Sequence, residues 1–148
     1  MLDHHEDMVV LAFCTHIGCA MTKISRFYGS SSNFFLKLFF DNKDITFVGV
    51  HIKDDIKRLE KCFGLQIRNA VDITELAADV LHQPRLRAFG VRKLASKVLL
   101  VSFQARSSSM DQDDCTRNRN MQIIEDRIEC ATIDAYAAYK TGKKLLGV

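Results

Sequence analysis

The sequence predicts an α/β layered domain built on a mixed sheet, and three stretches carry that prediction. The first is Ile45 to Gly64, ITFVGVHIKDDIKRLEKCFG. It begins as an apolar, β-branched run from Ile45 to Val50, as a buried strand does. It continues as a helix with Ile52, Ile56, Leu59 and Phe63 on one face. The second is a pair of short apolar runs, Met8 to Cys14 and Cys19 to Ile24. Thr15-His16-Ile17-Gly18 links them as a hairpin turn would. The third is one long helix from Gln122 to Leu146. Strands and helices therefore alternate after an opening hairpin, which is the order of a layered α/β domain.

Residues 1–7 are polar and acidic. His4, His5, Glu6 and Asp7 admit metal binding, but a hydrated tail is the plainer reading, so the domain is expected over 8–148. From Ser32 to Asp41 the segment SNFFLKLFFD packs four phenylalanines and two leucines. Ser32 or Asn33 is placed to cap a helix there, buried over most of its circumference. Asp54-Asp55 stands where the strand hands over to the next helix. These carboxylates either cap backbone N–H groups or point at a ligand beyond the sheet. Leu65 to Val71 is a short strand candidate. Asp72 then opens a helix through Leu81, with Glu75 as a capping-box partner and Leu76, Ala77 and Val80 inward. Pro84 ends that region. Ala88 to Leu99 reads as another helix, with Phe89, Val91, Leu94, Ala95 and Val98 inward. Residues 104–120 are polar and read as a surface loop. In the last helix Ile124, Ile128, Ala131, Ala135, Tyr139 and Leu146 form the expected buried stripe, interrupted at Gly142. Cys130 and Asp134, four apart, lie beside it. Lys140, Lys143 and Lys144 complement the helix dipole.

At 148 residues the chain suits one domain with a real core. Hydrophobic content of 47% and charged content of 26% are ordinary for a globular protein. A net charge of +3 neither demands nor excludes nucleic acid. No apolar run is long enough for a membrane span, and the N-terminus lacks a secretory pattern. The cysteines are Cys14, Cys19, Cys62, Cys115 and Cys130, an odd number without a CxxC pair. They predict free thiols in a reducing, intracellular setting (nucleus or cytoplasm) rather than disulfides or a zinc knuckle.

Three phrases in order, ITFVGVHIKDDIKRLEKCFGL, NAVDITELAADVL and IECATIDAYAAYKTGKKLL, resemble the Werner-syndrome-type 3′–5′ exonuclease domain. That is the DnaQ-like (DEDDy) branch of the ribonuclease-H-like fold. The resemblance runs from about Met8 to the C-terminus. It implies four carboxylates holding two divalent ions, Mg²⁺ or Mn²⁺, with a tyrosine orienting the attacking water. The family's second-motif aspartate falls on Asp55, beside Asp54, and its last-motif aspartate falls on Asp134. The tyrosine position falls on Cys130, whose thiol cannot stand in for a phenol. The Asp-x-Glu motif of the first strand is missing, and Asp3 and Glu6 have the wrong spacing to replace it.

Two consequences follow from the resemblance. Asp55 and Asp134 bring two negative charges against the four positive charges of two ions, which predicts weak or lost catalysis. The missing strand belongs at the centre of the sheet, between Met8–Cys14 and Ile45–Val50. Its loss leaves two rows of unpaired backbone groups. Direct pairing of the flanking strands, residues 1–7 as a makeshift strand, or a strand from another subunit would fill the gap. The expected partners are nucleic acid, with Lys53, Arg117 and Arg119 either touching phosphates or serving, more plainly, as solvated surface charge, and further copies of this chain or exonuclease-like relatives. A non-enzymatic, self-associating module is the alternative. Cys62 and Cys130 have no recognisable histidine partner and read as buried thiols. His51 either approaches the family's metal position or is a partly buried histidine with a backbone partner.

Overall fold

A computed structural model describes residues 8–25, 31–103 and 119–148. The first strand, β1 (Met8–Cys14), pairs antiparallel with β2 (Cys19–Ser25), and Cys14 stands opposite Cys19. The backbone N–H of Thr15 donates to Gly18 O at 2.9 Å and closes the turn. The hairpin is thus the one expected, but its cysteines are not. Cys14 and Cys19 form a disulfide, correcting the reading of both as free thiols. No CxxC spacing is needed, because the turn itself sets the two Cα atoms 4.1 Å apart.

Helix α1 (Ser31–Asp41) follows. Phe40 is fully buried and Leu36 and Phe39 partly so, whereas Phe34, Phe35 and Leu38 are 58%, 71% and 56% exposed. The expectation of burial around most of its circumference is therefore corrected: only one face meets the core. The cap at Ser32 or Asn33 falls on side chains outside the described residues.

Strand β3 (Phe47–Gly49) is shorter than the Ile45–Val50 run and pairs in parallel with β4 (Ala70–Asp72). Successive side chains of a strand point to opposite faces. Phe47 joins a core of Ile24, Phe40, Leu59 and Leu65, while Val48 joins a second core of Ile73, Ala77, Leu86, Leu94 and Val98. The parallel pair is covered on both faces, which is why its sequence reads as a continuous apolar run. Helix α2 (Ile52–Phe63) buries Ile52 and Leu59 and ends at Gly64, whose φ of 64° is the left-handed conformation glycine adopts freely.

Asp72 caps α3 (Ile73–Val80), accepting from the backbone N–H of Thr74 at 3.0 Å and from its hydroxyl. The anticipated capping-box role of Glu75 gives way to a different bond: Glu75 accepts from Arg87 Nε at 2.6 Å. Of the expected inward set on α3, Ala77 is buried but Val80 is 49% exposed. Pro84 opens a 3-10 turn, Pro84–Ala88, so helix α4 starts later than expected, at Val91, and runs to Leu99. It buries Leu94, Ala95 and Val98.

Helix α5 (Arg119–Leu146) packs against β1, β2, β3, α3 and α4. Its expected stripe is corrected. Ile128 and Leu146 are exposed, and Ile124 carries a side chain outside the described residues. The buried line instead runs through Ala137, Thr141 and Gly142, with Ala138 and Leu145 alongside. Gly142 decides this rotation: a Cβ there would sit 2.8 Å from Val48 Cγ2, so the helix touches β3 where it has no side chain. Thr141 Oγ1, buried beside it, has no hydrogen-bond partner among the described residues.

Among the described residues β1 pairs only with β2 and β3 only with β4, giving two separate two-stranded sheets. Direct β1–β3 pairing, one of the ways of closing the expected gap, does not occur there. Phe13 of β1, Phe39 and Phe40 of α1, and Phe47 of β3 bridge the two sheets, with ring centroids 5.1–5.9 Å apart. The tail and loop expected at 1–7 and 104–118 lie outside the described residues.

Candidate functional site

Asp134 belongs to α5 and continues the line of Ala137 and Thr141 one turn earlier, so it stands closer to the packed face than the expected stripe implied. Arg92 of α4 meets it. Arg92 Nε donates to Asp134 Oδ1 at 2.8 Å, and Nη2 donates to the carbonyl of Cys130 at 3.4 Å. The side chains are only 12% and 24% exposed, so water screens the pair weakly. A hydrogen bond to a charged group in such a setting is worth about 1.5–3 kcal/mol. The bond to Asp134 holds the guanidinium still more firmly in its charged form, against the opposing effect of burial. Cys130, one turn before Asp134, is a half-buried thiol outside any disulfide.

Asp55 lies in the first turn of α2, with Asp54. Neither is the cap. His51 is the N-cap, in the left-handed region at φ 53°, with no side-chain capping bond. Its carbonyl accepts from the Asp54 N–H at 3.2 Å. His51 is exposed, which corrects its reading as a partly buried histidine. The Asp55 carboxyl is raised above the ordinary carboxylate range. Partial desolvation is the largest cause, Arg58 opposes it, and Asp54 adds to it.

Asp134 is thus engaged by a cation on α4, while the charged groups that govern Asp55 lie on its own helix. Among the described residues no three of His, Cys, Asp and Glu gather closely enough to hold a metal ion. These donors do not make up a two-metal centre. Lys53 is exposed at the head of α2; Arg117 lies outside the described residues, as does the side chain of Arg119.

Sequence reasoning missed Arg92, although a signal was there. A cation in the first turn of a helix opposes the macrodipole. Helix α4 begins with two, Arg92 and Lys93, and no acid. Each has a partner elsewhere that accounts for it: Asp134 for Arg92, and the Phe89 ring 4.4 Å from Lys93 Nζ.

Among the described residues no helix is long and apolar enough to cross a membrane. Similarity to known proteins agrees with the phrases read from the sequence. The curated protein RISC-interacting clearing 3′–5′ exoribonuclease 1 of Arabidopsis thaliana is 32% identical over 108 residues, 72% of this chain and 50% of that protein. The chain thus spans about half of that relative's length. Crystal structures of the EXD2 exonuclease domain also align. One, from crystals soaked in Mg and GMP, covers 99% of this chain and 76% of its own at 20% identity and a TM-score of 0.46. Another, soaked in Mn and dGMP, covers 93% and 69% at 21% identity and a TM-score of 0.45. A family model described as 3′–5′ exonuclease matches residues 2–147. The chain belongs to the 3′–5′ exonuclease domain family, and its described residues have the α/β class expected of it.

Proposed function

We propose that this chain is an exonuclease-type domain that engages nucleic acid and cuts it weakly or not at all by itself. The observation that carries the reading is the Arg92–Asp134 pair. In this reading Asp134 and Asp55 stand at the family's carboxylate positions and would be the metal ligands for Mg²⁺ or Mn²⁺. One of them is already charge-neutralised. No Asp-x-Glu occurs anywhere in the 148 residues, and Cys130 takes the tyrosine position. Two acids cannot balance two divalent ions. The nucleic acid is RNA or DNA; the relative named as an exoribonuclease favours RNA. A longer chain or a partner that supplies the Asp-x-Glu strand would restore the acid count.

The test is hydrolysis of labelled single- and double-stranded RNA and DNA by the purified chain with Mg²⁺ or Mn²⁺. Binding without appreciable cleavage is expected. Robust cleavage that vanishes in Asp134→Ala refutes the reading.

A second reading, a self-associating module without catalysis, is favoured by two features. β1 and β3 each have one edge without a strand partner among the described residues, and Phe34, Phe35 and Leu38 are exposed on α1. Open edges and apolar patches recruit other chains. Light scattering that shows a strict monomer at high concentration removes this reading.

A further inference from the structure

We infer that Arg92 is the resident cation of the Asp134 site, taking the charge-balancing place of a divalent ion and making the fold indifferent to metal. The inference rests on Asp134 being the family's last-motif carboxylate, but its test does not depend on cleavage. A carboxylate 24% exposed on a packed helix needs a compensating charge. Arg92 supplies it from α4, through Nε at 2.8 Å. The same guanidinium reaches the Cys130 carbonyl at 3.4 Å, so it spans both residues that align with the family's last motif. The cost of starting a helix with Arg92 is offset across the α4–α5 contact, so the pair also ties those helices together. A metal ion would have to displace a largely shielded cation that cannot lose its proton.

The experiment is Mn²⁺ titration of the full chain, read by thermal melting and by Mn²⁺ electron paramagnetic resonance. The wild-type midpoint is expected to be the same in EDTA and in millimolar Mn²⁺. Arg92→Gln should melt lower in EDTA, recover part of the loss with Mn²⁺, and bind Mn²⁺ on the order of tenfold tighter than wild type. The recovery should vanish in the double variant Arg92→Gln, Asp134→Asn. Arg92→Lys keeps the charge and loses the forked geometry; it should stay indifferent to Mn²⁺, which a purely geometric role for Arg92 would not require. Should Arg92→Gln fail to fold in EDTA, Mn²⁺ should restore its folding. Wild type stabilised by Mn²⁺ through Asp134 overturns the inference, as does Arg92→Gln that Mn²⁺ neither binds nor stabilises. Robust cleavage by a wild type whose melting ignores Mn²⁺ would instead sink the weak-nuclease reading and leave this one standing.

Discussion

Replacing Gly142 by alanine would place a methyl group 2.8 Å from Val48 Cγ2 and 3.1 Å from both Val48 Cβ and Cγ1. Two effects compete. In a helix interior alanine is favoured over glycine by about 0.8–1 kcal/mol. Forcing a methyl into a packed contact costs about 1–3 kcal/mol. Here the obstructing atoms belong to a β-branched residue with a stiff χ1, held in a strand between two cores. Relief must therefore come from moving α5 off β3, which puts the clash in the upper half of its range. The net loss is then about 1–2 kcal/mol, or a melting temperature lower by roughly 2–8 °C at this chain length. Thermal and urea denaturation of Gly142→Ala measure it. The double variant with Val48→Ala should lose less than the sum of the two singles, because both γ-methyls have gone. If Gly142→Ala melts at or above wild type, helix propensity has won and the close approach does not fix how α5 lies on the sheet.

Two further outcomes are expected. Thr141→Val should raise stability by about 1 kcal/mol, since it removes a buried hydroxyl without a partner among the described residues; equal or lower stability in urea denaturation would mean the hydroxyl does find one. Because the Asp55 carboxyl is raised in the fold, the folded state holds that proton more tightly than the unfolded chain does. Stability from this group is present at low pH and lost as pH rises from the ordinary carboxylate range through the raised value. Asp55→Asn should therefore flatten the pH dependence of stability in that window, and carbon NMR titration of Asp55 should place its midpoint above the usual carboxylate value.

Where a local pattern settled the structure, the sequence was enough. The hairpin register follows from two apolar runs and a short turn, and Asp72 begins a helix as capping chemistry says it should. What the sequence hid was set by contacts between distant elements. The rotation of α5 is decided by one missing side chain against Val48, so a stripe drawn from hydrophobicity alone picked Ile128 and Leu146, both of which face water. The phenylalanines of α1 misled in the same way: apolar character does not say which side is covered. An odd cysteine count points to free thiols, whereas the short turn between Cys14 and Cys19 brings these two together. At the site, Asp55 and Asp134 stand out in the sequence only through the family resemblance, and the partner of Asp134 comes from another helix. Only the misplaced charge at the start of α4 hinted at it.

Helix α5 is the element that meets both ends of the described chain: Thr132 donates to the sulfur of Met21, 111 residues earlier. A ribosome therefore finishes the amino-terminal hairpin long before the surface that will shelter it has been translated. Until then β1 and β2 have only local closure and the earlier elements that pack on them, such as α1, whose Phe39 and Phe40 meet Phe13. Early termination anywhere before α5 would release a polypeptide whose hairpin lacks the cover α5 gives it, the kind of product that chaperones and proteases remove.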